Sequence, residues 1–275
     1  MPLAKHASGR RSVEMLVEVP GTPEQVWQAI ATGPGNSAWF TWTEIEEREG
    51  GAIRFDFGPG MSSSGRVTTW QPPRRFCYEE IGWSGDAPPL ATEIVIEARS
   101  GGTCVLRMVH SLFTERNDWD DELGGMEQGW PPYFGILRLY LRDHAGMASA
   151  GFQVAGRHPD AAIAAWRDFT QELGLAGLST GDPFSTSGAG VPRLSGMVQD
   201  SIEPELQGGG RQLGLTLRLH QPTPGLAMLG AFEWGGQTHL AVRLYLYGDA
   251  AAAAAEQEQP AWTDWMARHF PVAGA

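Results

Sequence analysis

The chain has 275 residues, of which 42% are hydrophobic and 19% charged, and its formal net charge is −12. That length holds two domains with cores of their own, and the acidity excludes nucleic acid and anionic membrane surfaces as partners, since those need clustered Lys and Arg. No run approaches the roughly 18 apolar residues of a membrane span, and two cysteines, Cys77 and Cys104, are too few for a disulfide framework or a zinc site.

Residues 1–11 are basic without an apolar run behind them, so they read as a flexible tail rather than a secretory signal, and the protein is expected to be cytoplasmic. Val13 to Val19 alternates apolar and polar residues, the period of a half-buried strand. Thr22-Pro23 then opens a helix as N-cap and first position, with Val26, Trp27 and Ile30 as its apolar stripe and Gly33-Pro34-Gly35 as its end. Strands follow near 43–48, 51–57, 64–70, 75–82, 91–98 and 103–112, separated by Gly, Pro and Ser clusters. The acidic, Gly-bearing stretch 117–129 reads as loop plus a short helix, its carboxylates suiting a helix N-terminus better than a metal. Pro131-Pro132 opens the next helix, which runs to about His144. It is apolar on two sides, with Trp130, Phe134, Leu137 and Leu141 on one and Tyr133, Ile136 and Tyr140 on the other. Such a helix is covered on both sides, and the expected cover is its own sheet and a second domain.

The second half repeats this order. A short strand over 151–155 and a helix over 159–175, with Ile163, Trp166, Phe169 and Leu173 in register, precede strands near 194–202, 211–221, 226–234 and 237–247. The alanines of 250–255 read as a solvated loop or helical turn before a short helix carrying Trp262, Trp265 and Met266. SGRV at Ser64 is matched by SGMV at Ser195, and GGTCVLRMVH at Gly101 by GGQTHLAVRL at Gly235. Ser64 to Trp130 is 66 residues and Ser195 to Trp262 is 67, the signature of one fold unit used twice.

VEVPGTPEQVWQAIATG, the Trp39-Phe40 pair, GTCVLRMVHS and GWPPYFGILRLYL together resemble the START or birch-pollen-allergen-like (SRPBCC) helix-grip superfamily. Within it they resemble the subgroup named after activators of heat-shock-protein ATPases. The resemblance implies an α+β chain of two tandem helix-grip domains, 12–147 and a degenerate 148–275, each a curved antiparallel sheet wrapped around a long C-terminal helix. It also implies a pocket between sheet and helix and, for didomain relatives of polyketide and enediyne pathways, hydrophobic ligands. The function expected is capture of an elongated or polycyclic small molecule at the domain junction, in secondary-metabolite biosynthesis or self-resistance. The alternatives are a cyclase or aromatase with turnover and a co-chaperone-like module with a protein partner.

No cofactor or metal is expected. Gly58-Pro59-Gly60 and Gly208-Gly209-Gly210 lack the strand-to-helix setting of a dinucleotide fingerprint. Lys5 is the single lysine, so neither a Walker A motif nor a core Schiff base is available. Enzymatic activity stays open, because no nucleophile motif is present. The ligand-binding candidates are Trp39, Phe40, Trp42, Trp83, His110, Trp130, Tyr133, Phe134, Leu137 and Arg138. Aromatics with few polar groups line small-molecule pockets, although each ring alone is accounted for by an ordinary core. His110 is also the candidate proton donor; a hydrogen-bonded structural histidine is the simpler account of it. Polar tips at Arg218, His220, His239, Arg243, Tyr245 and Tyr247 would face solvent or form a polar end of a shared cavity.

Overall fold

The computed structural model describes residues 3–6, 9–58, 61–114, 116–188, 190–202 and 212–272; Pro59-Gly60 and Gly208-Gly209-Gly210 lie outside these. The chain divides into two units, Met1–Gly146 and Met147–Ala275.

The first unit begins with β1 (Ala4–Lys5) and β2 (Arg10–Pro20). Of the expected tail, Ala4–Lys5 instead pairs with β2 at Arg11–Ser12, and Lys5 and Arg11 both grip Asp120 at 2.8 and 2.9 Å. Helix α1 (Pro23–Ala31) starts on a capping box in which Thr22 and Gln25 satisfy each other's backbone N–H groups. Helix α2 (Gly33–Ser37) follows where only a helix end was expected, again capped by a threonine, Thr32. Strands β3 (Trp42–Ile45), β4 (Ala52–Asp56), β5 (Ser62–Gln71), β6 (Arg75–Ile81), β7 (Leu90–Arg99) and β8 (Thr103–Phe113) complete an antiparallel sheet of order β1-β2-β8-β7-β6-β5-β4-β3. Helix α3 is continuous from Asp120 to Asp143 and carries Pro131 and Pro132 inside it. The two prolines each remove a helical donor. Burial of Leu123 on one side of them, and of Phe134, Ile136 and Leu137 on the other, holds the halves in line. The prolines therefore mark the middle of the helix, not its start.

The second unit runs β9 (Ser149–His158), α4 (Ala162–Leu173), β10 (Pro183–Ser185), β11 (Ser195–Ile202), β12 (Gln212–Gln221), β13 (Gly225–Trp234), β14 (Gln237–Tyr247) and α5 (Ala251–His269). Its antiparallel sheet has the order β10-β11-β12-β13-β14-β9. In each unit the opening strand pairs with the last, β2 with β8 and β9 with β14, and the closing helix packs against the opening strand. Three details correct the sequence expectation. Strand β9 is twice the length foreseen; Ile163 is 52% exposed rather than in the core stripe; and the alanines of 250–255 belong to α5, with Ala251 and Ala255 buried.

The duplication extends to backbone detail. The ladder shifts register between Val67 and Thr69 in β5 and between Val198 and Asp200 in β11. Val67 exchanges backbone hydrogen bonds with Gly50 and Gly51; Val198 does so with Gly181 and Asp182. A Cβ on Gly65 would lie 1.8 Å from the carbonyl oxygen of Glu79, and one on Gly196 would lie 1.8 Å from that of Arg218. The SG-x-V motif is thus a bulged strand whose glycine lets the neighbouring strand cross at close range. Among the described residues the second unit has no counterpart of β1, β3 or α2.

Candidate functional site

The pairing of β5, β6, β7, β8 and β2 lines up Val67, Tyr78, Thr92, His110 and Val13 in one row across the first sheet. All five are buried on the face toward α3. Strand alternation alone puts them there, yet the three central members are polar. Trp130 of α3 donates its indole N–H to His110 Nε2 at 2.8 Å, and His110 Nδ1 lies 2.8 Å from Thr92 Oγ1. An indole nitrogen only donates. His110 Nε2 therefore carries the lone pair and Nδ1 carries the proton, which it gives to Thr92. The Thr92 hydroxyl in turn bonds the Tyr78 side chain. Burial pushes His110 down to about 4, so the imidazole is neutral at pH 7, and it pushes the Tyr78 phenol well above its ordinary value. One row further along, the Ser63 hydroxyl donates to Glu80 at 2.5 Å, and burial raises the Glu80 carboxyl.

Rings close over this row. Phe40 stacks on Trp130 with centroids 4.8 Å apart, Tyr133 meets Phe40 edge-on at 5.0 Å, and Phe134 stacks with Trp130 at 5.4 Å. Trp39 is anchored by its N–H to the Ala29 carbonyl at 2.9 Å and lies 6.4 Å from Trp130. Between sheet and helix the described residues enclose a void of about 10 Å³ lined by Phe40, Phe55, Tyr78 and Trp130 among others. That is room for one water at most.

Six of the sequence candidates, Trp39, Phe40, His110, Trp130, Tyr133 and Phe134, meet in this chamber. Leu137 is fully buried further along the same helix. The remaining three lie elsewhere. Trp42 is half exposed beneath Arg54, Trp83 bonds the Pro88 carbonyl within the β6–β7 connection, and exposed Arg138 bonds the Glu18 carbonyl. Sequence reasoning missed Tyr78, Thr92, Glu80 and Ser63. Their signal was polar side chains at inward parity, where the second copy has Leu217, Ala227, Leu219 and Leu194.

In the second unit the same row reads Val198, Leu217, Ala227, Leu244 and Phe152, all buried. Trp262, matched to Trp130 by spacing, is fully buried and its indole N–H has no hydrogen-bond partner. Of the expected polar tips, Arg243, Tyr245 and Tyr247 are buried on the opposite face of β14, with Arg243 bonded to Gln153, while His220 is exposed. An open cleft of about 580 Å³ lies at one end of this unit, lined by Arg157, His158, Asp160, Glu233, Gln237 and Thr238 among others. Glu233 there caps the backbone N–H of Ala162 at 3.1 Å.

Residues 20–142 match the family described as Activator of Hsp90 ATPase homolog 1-like protein. No curated protein matches the chain. Among solved structures, CalU16 from Micromonospora echinospora is 20% identical over 52% of this chain and 83% of its own, with a TM-score of 0.41. DynU16, from the dynemicin biosynthetic locus, is 17% identical over 93% of this chain and 95% of its own, with a TM-score of 0.42. The di-domain ARO/CYC protein BexL, from the BE-7585A biosynthetic pathway, is 12% identical over 95% and 99%, with a TM-score of 0.44. Identities this low carry no ligand or activity across.

Proposed function

We propose that the first unit, whose residues 20–142 match the Activator-of-Hsp90-ATPase-homolog-1-like family, binds a flat, polycyclic and largely apolar small molecule of the polyketide type. The molecule takes the space over the Tyr78–Thr92–His110 row that the Trp130 ring stack now fills. The carrying observation is the contrast between the two units. The same sheet closes in the second unit with leucine and alanine, so the buried polar row answers no demand of the fold. Burying polar groups costs stability unless every one is paired, and a chain retains such a row where a ligand reads it. The site lies within the first unit and needs no composite cavity.

Native mass spectrometry of the full chain against hydroxylated anthracenes, anthraquinones and linear polyenes tests this. A one-to-one adduct with the fused-ring compounds is expected, accompanied by altered tryptophan fluorescence. If no compound forms a stoichiometric adduct, the proposal fails.

A further inference from the structure

Trp130 occupies the chamber as a ligand would. Its flat bicyclic ring stacks with Phe40 at 4.8 Å and with Phe134 at 5.4 Å, lies at 24° to the His110 ring, and offers one polar atom, the N–H given to His110 Nε2. Trp262 shows that the fold tolerates this tryptophan without an acceptor, because Leu244 stands where His110 stands in the first unit. The acceptor was therefore not supplied to satisfy the indole.

We infer that Trp130 is a built-in stand-in for the ligand, and that the true ligand must itself carry a hydroxyl or ring N–H that donates to His110 Nε2. This rests on the binding function proposed above and specifies its ligand class. In the network that Trp130 completes, Nδ1 gives its proton to Thr92 and Thr92 bonds Tyr78, so Nε2 presents a lone pair, and a guest that accepts there has to reverse the whole relay. A guest that displaces Trp130 and brings an ether, a quinone carbonyl or a carboxylate to that point sets lone pair against lone pair in a dry site. A phenol, an enol or an indole replaces the lost bond atom for atom. Discrimination of this kind, where a buried acceptor is left unpaired by the wrong compound, is stronger than that from shape alone.

Removing the stand-in tests the idea. In full-length Trp130→Ala, indole should bind at least about tenfold more tightly than its isostere benzothiophene, which lacks the donor, a factor in line with leaving one buried acceptor unmade. Adding His110→Leu should erase the preference. Equal affinities for the two compounds would overturn the donor requirement. The unmodified chain gives a second measurement should the truncated variant not fold. Saturation with 2-naphthol should shift the Trp130 Nε1–H resonance, and 2-methoxynaphthalene should bind at least about tenfold more weakly. Equal binding of both naphthalenes refutes the donor requirement while leaving the binding function intact. Binding of neither, with the indole preference present, refutes the binding function alone.

Discussion

The two units build the same sheet with different inward rows. They share the strand order, the bulge at Val67 and Val198, the close-approach glycines Gly65 and Gly196, and a tryptophan midway along the closing helix. They differ along one row. Tyr78, Thr92 and His110 in the first unit face the places of Leu217, Ala227 and Leu244 in the second. The apolar version is the simpler way to close a core, since it leaves no donor or acceptor to satisfy. The second copy closes the same row without polar groups, and the proposed binding function rests on that difference.

The largest expected effect that sharpens this contrast is pH dependence confined to the first unit. His110 titrates at about 4 when folded and near 6.5 when unfolded. Between those values the unfolded chain holds the extra proton, so stability is full above 6.5 and falls as pH drops toward 4, by about 3 kcal/mol in all. Glu80, raised by burial, works in the opposite sense: its contribution is present below the unfolded carboxylate pKa and is lost as pH rises. Comparison with His110→Leu isolates the imidazole. Hydrogen exchange resolved by unit should show acid loosening of the first sheet in the parent chain and its removal in the variant. Equal loosening of both units would break the contrast.

A somewhat smaller effect tests what the units share. Gly65→Ala and Gly196→Ala each drive a Cβ into a neighbouring carbonyl and should cost about 1–3 kcal/mol apiece, each in its own unit. Denaturant unfolding followed by unit-resolved exchange checks it. A harmless substitution at either site would mean that the two bulges are not equivalent.

The smallest effect is the most telling. Replacing Tyr78, Thr92 and His110 together by Leu, Ala and Leu gives the first unit the second unit's row. Because Tyr78, Thr92 and His110 leave together, and the indole N–H left on Trp130 then matches that of Trp262, stability should change by no more than about 1 kcal/mol, while binding of 2-naphthol is lost. A large loss of stability in denaturant melts would return the row to a structural role.

Most of the strands were legible because alternation and Gly-Gly or Pro turns are local signals; β8 and β14 fall within a residue of expectation. Helix α3 was misplaced at its start because Pro-Pro is a local stop sign that only distant packing overrides. The opening segment has the composition of a tail, since its anchor, Asp120 for Lys5 and Arg11, lies more than a hundred residues away. His110 was found as a residue type, but its partners were not. Thr92 and Tyr78 are ordinary strand residues until register sets them beside it.

Spacing and composition already fix the duplication, seven of the eight strands of the first unit and the concentration of tryptophans before residue 131. Register and packing, by contrast, gather those rings around one small void and set one indole N–H against a lone pair on His110, while its twin has no acceptor. The physical reason is range. Periodicity acts between neighbours in the chain, whereas cross-strand register and helix packing decide which side chains touch, and the site consists of those contacts.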